Sequence, residues 1–149
     1  MRFLSLVSVN DKFVDALWDR AKGAGGYYAI GDGASKDVFR RMFFQSNYVL
    51  EGPNIVVRLN ENLDHVELHP IIFGVEPFIH AREAMSDCAS LFTSKPICCI
   101  IPSGLRGARR LAKLAGMHQS GGCVRPLSGV QIPCEIWRYD NVRSIDADD

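Results

Sequence analysis

Apolar residues alternate with polar ones from Arg2 to Val9, which predicts a first strand, and Asn10-Asp11 supply a cap for the helix that should follow. Val14, Leu17, Trp18 and Ala21 then recur at helical spacing until Gly23-Ala24-Gly25-Gly26 ends the run. A glycine-bearing loop, Tyr27 to Ser35, leads to a second helix from Ala34 to Gln45 with Val38, Phe39, Met42 and Phe43 on one face. Asn47 to Glu51 and Asn54 to Leu59 read as short strands joined by Gly52-Pro53, and Asn60-Glu61-Asn62 reads as a turn into a third strand of the same meander, "HVELHPII".

Beyond that strand, Phe78, Ala81, Met85, Cys88 and Phe92 fall at steps of three and four, the stripe of a third helix packed on a sheet. Ile97 to Ile101 is a continuous apolar run between Pro96 and Pro102, as expected of a strand buried on both faces. A crossover helix between two strands makes them parallel. Leu105, Ala108, Leu111, Ala112 and Ala115 mark a fourth helix ending at Gly116, and Gly122 to Leu127 with Val130 to Tyr139 form a closing hairpin about Ser128-Gly129. The expected order is βααβββαβαββ, an α/β (α+β) chain with a mixed sheet. Residues 1 to 140 form one domain and residues 141 to 149 an acidic, frayed tail.

Composition narrows the partners. Lys plus Arg and Asp plus Glu number 17 each, so no long-range field favours nucleic acid or an anionic membrane. No apolar run approaches the ~18 residues of a membrane-spanning helix, and the short apolar start "MRFLSLV" is too brief for a signal sequence. A cytoplasmic protein is the expectation. The five cysteines, Cys88, Cys98, Cys99, Cys123 and Cys134, lack paired metal-ligand spacing and read as reduced core thiols with no metal site.

The stretch "LRGARRLAKLAGMHQSGG", residues 105 to 122, resembles the fourth-helix pattern of the GNAT (Gcn5-related N-acetyltransferase) superfamily. Ala108, Ala115-Gly116-Met117 and Gly121 keep its spacing, and the element order matches over almost the whole chain. The resemblance implies an acetyl-CoA-dependent N-acetyltransferase. The cofactor's pantetheine arm would pair with backbone near Ile71 and Ile72 in a gap where the central and buried strands splay. Its pyrophosphate would meet the N–H groups of Phe78, Ile79, His80 and Ala81, with positive charge from His80 and Arg82.

This chain departs from the family's glycine-rich phosphate loop. Pro77 has no N–H, Glu76 sets an anion beside an anion, and Phe78 and Ile79 bring bulk where backbone must approach closely. Weak or absent pyrophosphate binding there is the expectation. Ala112 stands where the family has its acidic Tyr, and Leu105 where it has an Asn, so neither side chain serves as a donor.

His65, Glu67 and His69 alternate along the central strand and so share a face. Glu67 lies where family members often carry a general base, with His69 to assist and Ser103 as a stand-in acid. The alternatives are a solvated strand face for the trio and an N-cap for Ser103. Arg106, Arg109, Arg110 and Lys113 form a basic helix face, solvated or set to meet a phosphate or a protein. As an enzyme the protein would take a small-molecule or peptide amine. The eroded motifs also fit a second class, a catalytically inactive GNAT-fold protein that binds a protein partner or its own copies, as phage-encoded GNAT-like proteins of virion head assembly do. Such a protein would be found in the virion.

Overall fold

The computed structural model describes residues 3–23, 35–74, 76–127 and 129–140. The Tyr27-Tyr28 pair, the stretch Ala24-Gly25-Gly26 and the acidic tail lie outside them. The elements are β1 (Ser5–Leu6), α1 (Asp11–Gly23), α2 (Lys36–Phe44), β2 (Tyr48–Gly52), β3 (Ile55–Glu61), β4 (Val66–Ile72), α3 (Glu76–Ile79), α4 (Ala81–Ala89), β5 (Ile97–Pro102), α5 (Arg106–Leu114), β6 (His118–Leu127) and β7 (Val130–Tyr139). One seven-stranded sheet runs β1-β2-β3-β4-β5-β7-β6, antiparallel throughout except for the parallel pair β4 and β5.

Local chemistry sets most of the boundaries. The Phe13 N–H donates to Asn10 Oδ1 at 2.9 Å and the Val38 N–H to Ser35 Oγ at 3.2 Å, so each of the first two helices starts on a side-chain cap. At the end of α5, Gly116 takes φ +90°, Met117 N–H reaches Ala112 O at 2.9 Å and Gly116 N–H reaches Lys113 O at 3.0 Å. A side chain at Gly116 would strain that left-handed stop.

Two features differ from the sequence reading. The first strand is only two residues long; it is fixed by the Leu4 N–H donating to Asp87 Oδ2 of α4 at 2.7 Å. The third helix is broken: a four-residue turn, α3, precedes α4, with His80 between them at φ −106°, ψ 24°. The His80 ring stacks on Phe3, their centroids 4.8 Å apart, a tertiary contact that holds the break open.

Strand alternation sends apolar residues to both sheet faces and makes two cores. Ile55, Val57, Leu59, Val66, Ile97 and Trp137 pack under α4 and α5. Val49, Val56 and Ile71 meet Trp18, Phe39 and Phe43 of α1 and α2 on the other face. The five cysteines are free, and Cys88, Cys99 and Cys134 are buried. Burial pushes the thiols of Cys88 and Cys99 up to about 12, so both stay protonated and inert. Among the described residues no group of side chains could hold a metal ion, and no helix is long and apolar enough to cross a membrane.

Candidate functional site

The parallel pair holds together over two residues only, Val66 opposite Ile97 and Glu67 opposite Cys98. Past Glu67 the strands part. The sequence placed the splay near Ile71 and Ile72; it begins at Leu68. β3 continues to pair with β4 as far as Ile72, and β7 pairs with β5 as far as Pro102. The facing edges of β4 and β5 therefore have no strand partner beyond the first two pairs, which leaves backbone donors and acceptors open to a ligand.

Between these edges and the helices α4 and α5 lies a groove of about 490 Å³. Small residues make the room for it: Ala81, Ala84 and Cys88 on α4 face Ala108, Ala112 and Ala115 on α5. Ile72 and Phe78 add to the wall, and His69 borders it at the opened edge of β4. An apolar groove beside unpaired backbone suits a ligand built of methylenes and amides.

Glu67 and His69 project from the opposite sheet face, the one that also carries Arg58 and Asn60 of β3, directly across from them. Glu67 Oε1 and His69 Nε2 stand 3.6 Å apart, with the Glu67 side chain about 20% exposed and that of His69 34%. Arg58 is 4% exposed; its guanidinium lies 5.5 Å over the Phe43 ring and donates to Ser46 Oγ at 3.2 Å. Burial lowers Arg58 to about 10, with Glu67 opposing, so it remains charged at neutral pH. Burial first, then Arg58 and Arg125, lower His69 to about 4 against the pull of Glu67. His69 is thus a neutral imidazole at pH 7.

A stability effect follows from that shift. The folded-state value of about 4 lies below the ordinary histidine value of ~6.5. The fold favours the neutral ring, so the contribution is complete above ~6.5 and is lost as pH falls towards about 4. Urea midpoints measured between pH 7.5 and 4 should fall less steeply for His69→Gln than for the native chain; parallel curves would show that His69 is not the group involved.

The remaining sequence-derived residues divide. Ile72, Phe78 and Ala81 line the groove. Ile71 instead faces the α1/α2 core, because it lies one residue out of phase with Ile72. Ile79 is 73% exposed, His80 is occupied by Phe3, and Arg82 is exposed with a guanidinium nitrogen close to Gly116. No side chain caps α4. Ser103 follows β5, its N–H bonded to Pro133 O at 3.1 Å, about 16 Å along the strand from the level of Glu67. His65 is taken up by its own turn, with Nδ1 2.8 Å from Asp64 Oδ1. Arg106, Arg109, Arg110 and Lys113 line a cleft of about 290 Å³ along α5, on the helix face turned away from the groove-lining Ala108, Leu111 and Ala112, and Arg109 also meets Glu135 at 3.1 Å.

Arg58 and Asn60 did not stand out in the sequence. The trace of Arg58 was a charge inside the apolar strand "IVVRL". Asn60 was hidden by a turn drawn too early: β3 runs on to Glu61, and the Val56, Arg58, Asn60 alternation continues through it.

Solved structures share this arrangement. The chain superposes over 93% of its length on 95% of an acetyltransferase of the GNAT family from Bacillus anthracis, at 10% identity and a TM-score of 0.69. It matches mutant forms of the spermidine/spermine N-acetyltransferase SpeG from Vibrio cholerae over 99% of both chains, at 13% identity and a TM-score of 0.65. It also matches the spermidine N-acetyltransferase from Vibrio cholerae in complex with CoA and spermine, over 92% of this chain and 95% of that one, at 16% identity and a TM-score of 0.63. No family model and no curated protein matches the sequence. The protein has the GNAT fold.

Proposed function

We propose that the protein is an acyl-CoA-dependent N-acyltransferase whose general base is Glu67. The observation that carries this reading is the parting of β4 and β5 immediately after Glu67 and Cys98. The opening joins an apolar groove on one sheet face to a carboxylate on the other, and His69 stands at the junction: its strand edge borders the groove and its ring lies beside Glu67. Two reactants entering from opposite faces would meet there.

Acetyl-CoA supplies a thioester carbonyl. The chain's residues do the rest. Glu67 takes a proton from the acceptor nitrogen and passes it to solvent, with neutral His69 beside it. A C–N bond forms at the carbonyl carbon as the C–S bond breaks. Of the three protons on an ammonium group, one passes through Glu67 to solvent, one leaves with sulfur as the thiol, and one remains on the amide. Ala112 offers no proton in the groove wall, so the proton that ends on sulfur travels from the nitrogen by way of water. Positive charge for the nucleotide's phosphates would come from the basic face of α5, since the turn before α4 has no side-chain cap.

Thermal unfolding with acetyl-CoA and with desulfo-CoA tests the reading. A ligand present at ~1,000 times its Kd stabilises the fold by ~4 kcal/mol. Acetyl-CoA at millimolar concentration is expected to raise the melting temperature accordingly, and an absent shift for both ligands would overturn the proposal.

A further inference from the structure

Directly across from Glu67, on β3, stands Asn60; the two are Cα partners in the antiparallel ladder and leave the sheet on the same face. The side-chain oxygen of Asn60 is buried and accepts no hydrogen bond among the described residues. Beside it the Glu67 carboxylate offers further lone pairs, and the neighbouring His69 stands at 3.6 Å, beyond hydrogen-bond reach. One cross-strand pair thus brings the unmet amide oxygen of Asn60 and the carboxylate of Glu67 to the same sheet face. Arg58, one pair further along, is directed to Ser46 Oγ and Met42 O. A buried acceptor without a donor is costly, and such sites are commonly completed by a ligand.

We infer that Asn60 is a positioning residue for the acceptor: its amide oxygen and the Glu67 carboxylate together receive the N–H groups of an ammonium ion. The inference rests on the acyltransferase reading and adds a residue and a selection rule to it. An ammonium group carries three donors and no lone pair, so it complements two acceptors. A hydroxyl brings one donor and two lone pairs, and one of the two oxygens would remain unmet. Once Glu67 has taken its proton, Asn60 still holds the neutral amine by a second N–H, which keeps the nitrogen lone pair turned towards the opening between the strands. Amines are therefore accepted and alcohols of the same shape refused.

The test uses Asn60→Leu and Asn60→Asp. Leucine removes the acceptor at similar volume, so KM for a primary amine should rise about tenfold while KM for acetyl-CoA stays unchanged. The melting temperature of the free protein should hold or rise, since an unmet buried acceptor has been replaced by an apolar group. Asn60→Asp keeps an oxygen in place and should restore the amine KM. A drop in melting temperature with both KM values altered would assign Asn60 a structural role and overturn the inference. A second measurement stands apart from acyl transfer: titration of the protein alone with propylammonium chloride, followed by the side-chain amide resonances of Asn60, against propanol as control. Movement with the ammonium salt only is the expected result. No movement overturns the inference whatever acetyl-CoA does, whereas movement without an acetyl-CoA thermal shift leaves the amine site standing and removes the acyltransferase reading.

Discussion

Glu67→Gln is expected to lower acyl transfer by ~10²–10⁴-fold while leaving the fold and the stabilisation by acetyl-CoA in place. Glutamine keeps the volume of the side chain and both its attachment to β4 and its place opposite Asn60 and Cys98. What it loses is the ability to accept a proton from an ammonium group. Neutral His69, held at about 4, is too weak a base to take over at pH 7. The loss should appear in kcat/KM for the amine across pH 6 to 9, measured by release of the CoA thiol. If the variant transfers acetyl groups at the native rate, Glu67 is not the base, even where acetyl-CoA binds normally.

Sheet topology was legible in the sequence because it follows from local signals of known period. The alternation of Ile55, Val57 and Leu59 placed β3, and the apolar run Ile97 to Ile101 with a helical stripe before it dictated a parallel crossover. The splay was legible only in part. How far two parallel strands stay paired depends on the register of β5 against β7 as well as β4, which no local pattern records. One trace exists: Pro70, inside a strand that lies at the centre of the sheet, is tolerated where an edge is open, and β4 has such an edge from Leu68 onward.

The geometry around the expected phosphate loop was not recoverable from sequence. The break at His80 depends on Phe3, more than seventy residues earlier, and a stacked ring pair leaves no periodic mark. Nor does the sequence reveal that Arg106, Arg109, Arg110 and Lys113 line a cleft of their own along α5. The missing Tyr at Ala112 takes on a second meaning in three dimensions. Together with Ala108 and Ala115 it supplies the space of the groove as well as removing a proton donor.

That space permits a test in which stability and binding move in opposite directions. Ala112 is 5% exposed and lies in the groove wall, opposite the small residues of α4. Enlarging a buried alanine in a close-packed core ordinarily costs ~1–3 kcal/mol, because neighbours are forced off their rotamers. Here the added ring enters an apolar groove of about 490 Å³ lined by Ala81, Ala84 and Met85, so it gains contacts instead of clashes. Ala112→Phe is therefore expected to leave the melting temperature of the free protein unchanged or raised. The same ring occupies the path between the facing edges of β4 and β5, and the whole ~4 kcal/mol of stabilisation by saturating acetyl-CoA should vanish with it. Paired melting curves with and without acetyl-CoA measure both effects in one experiment. Retention of the full ligand shift by a folded Ala112→Phe protein would mean that the ligand enters elsewhere, and the basic cleft along α5 would then be the place to examine by charge reversal at Arg106 and Arg110.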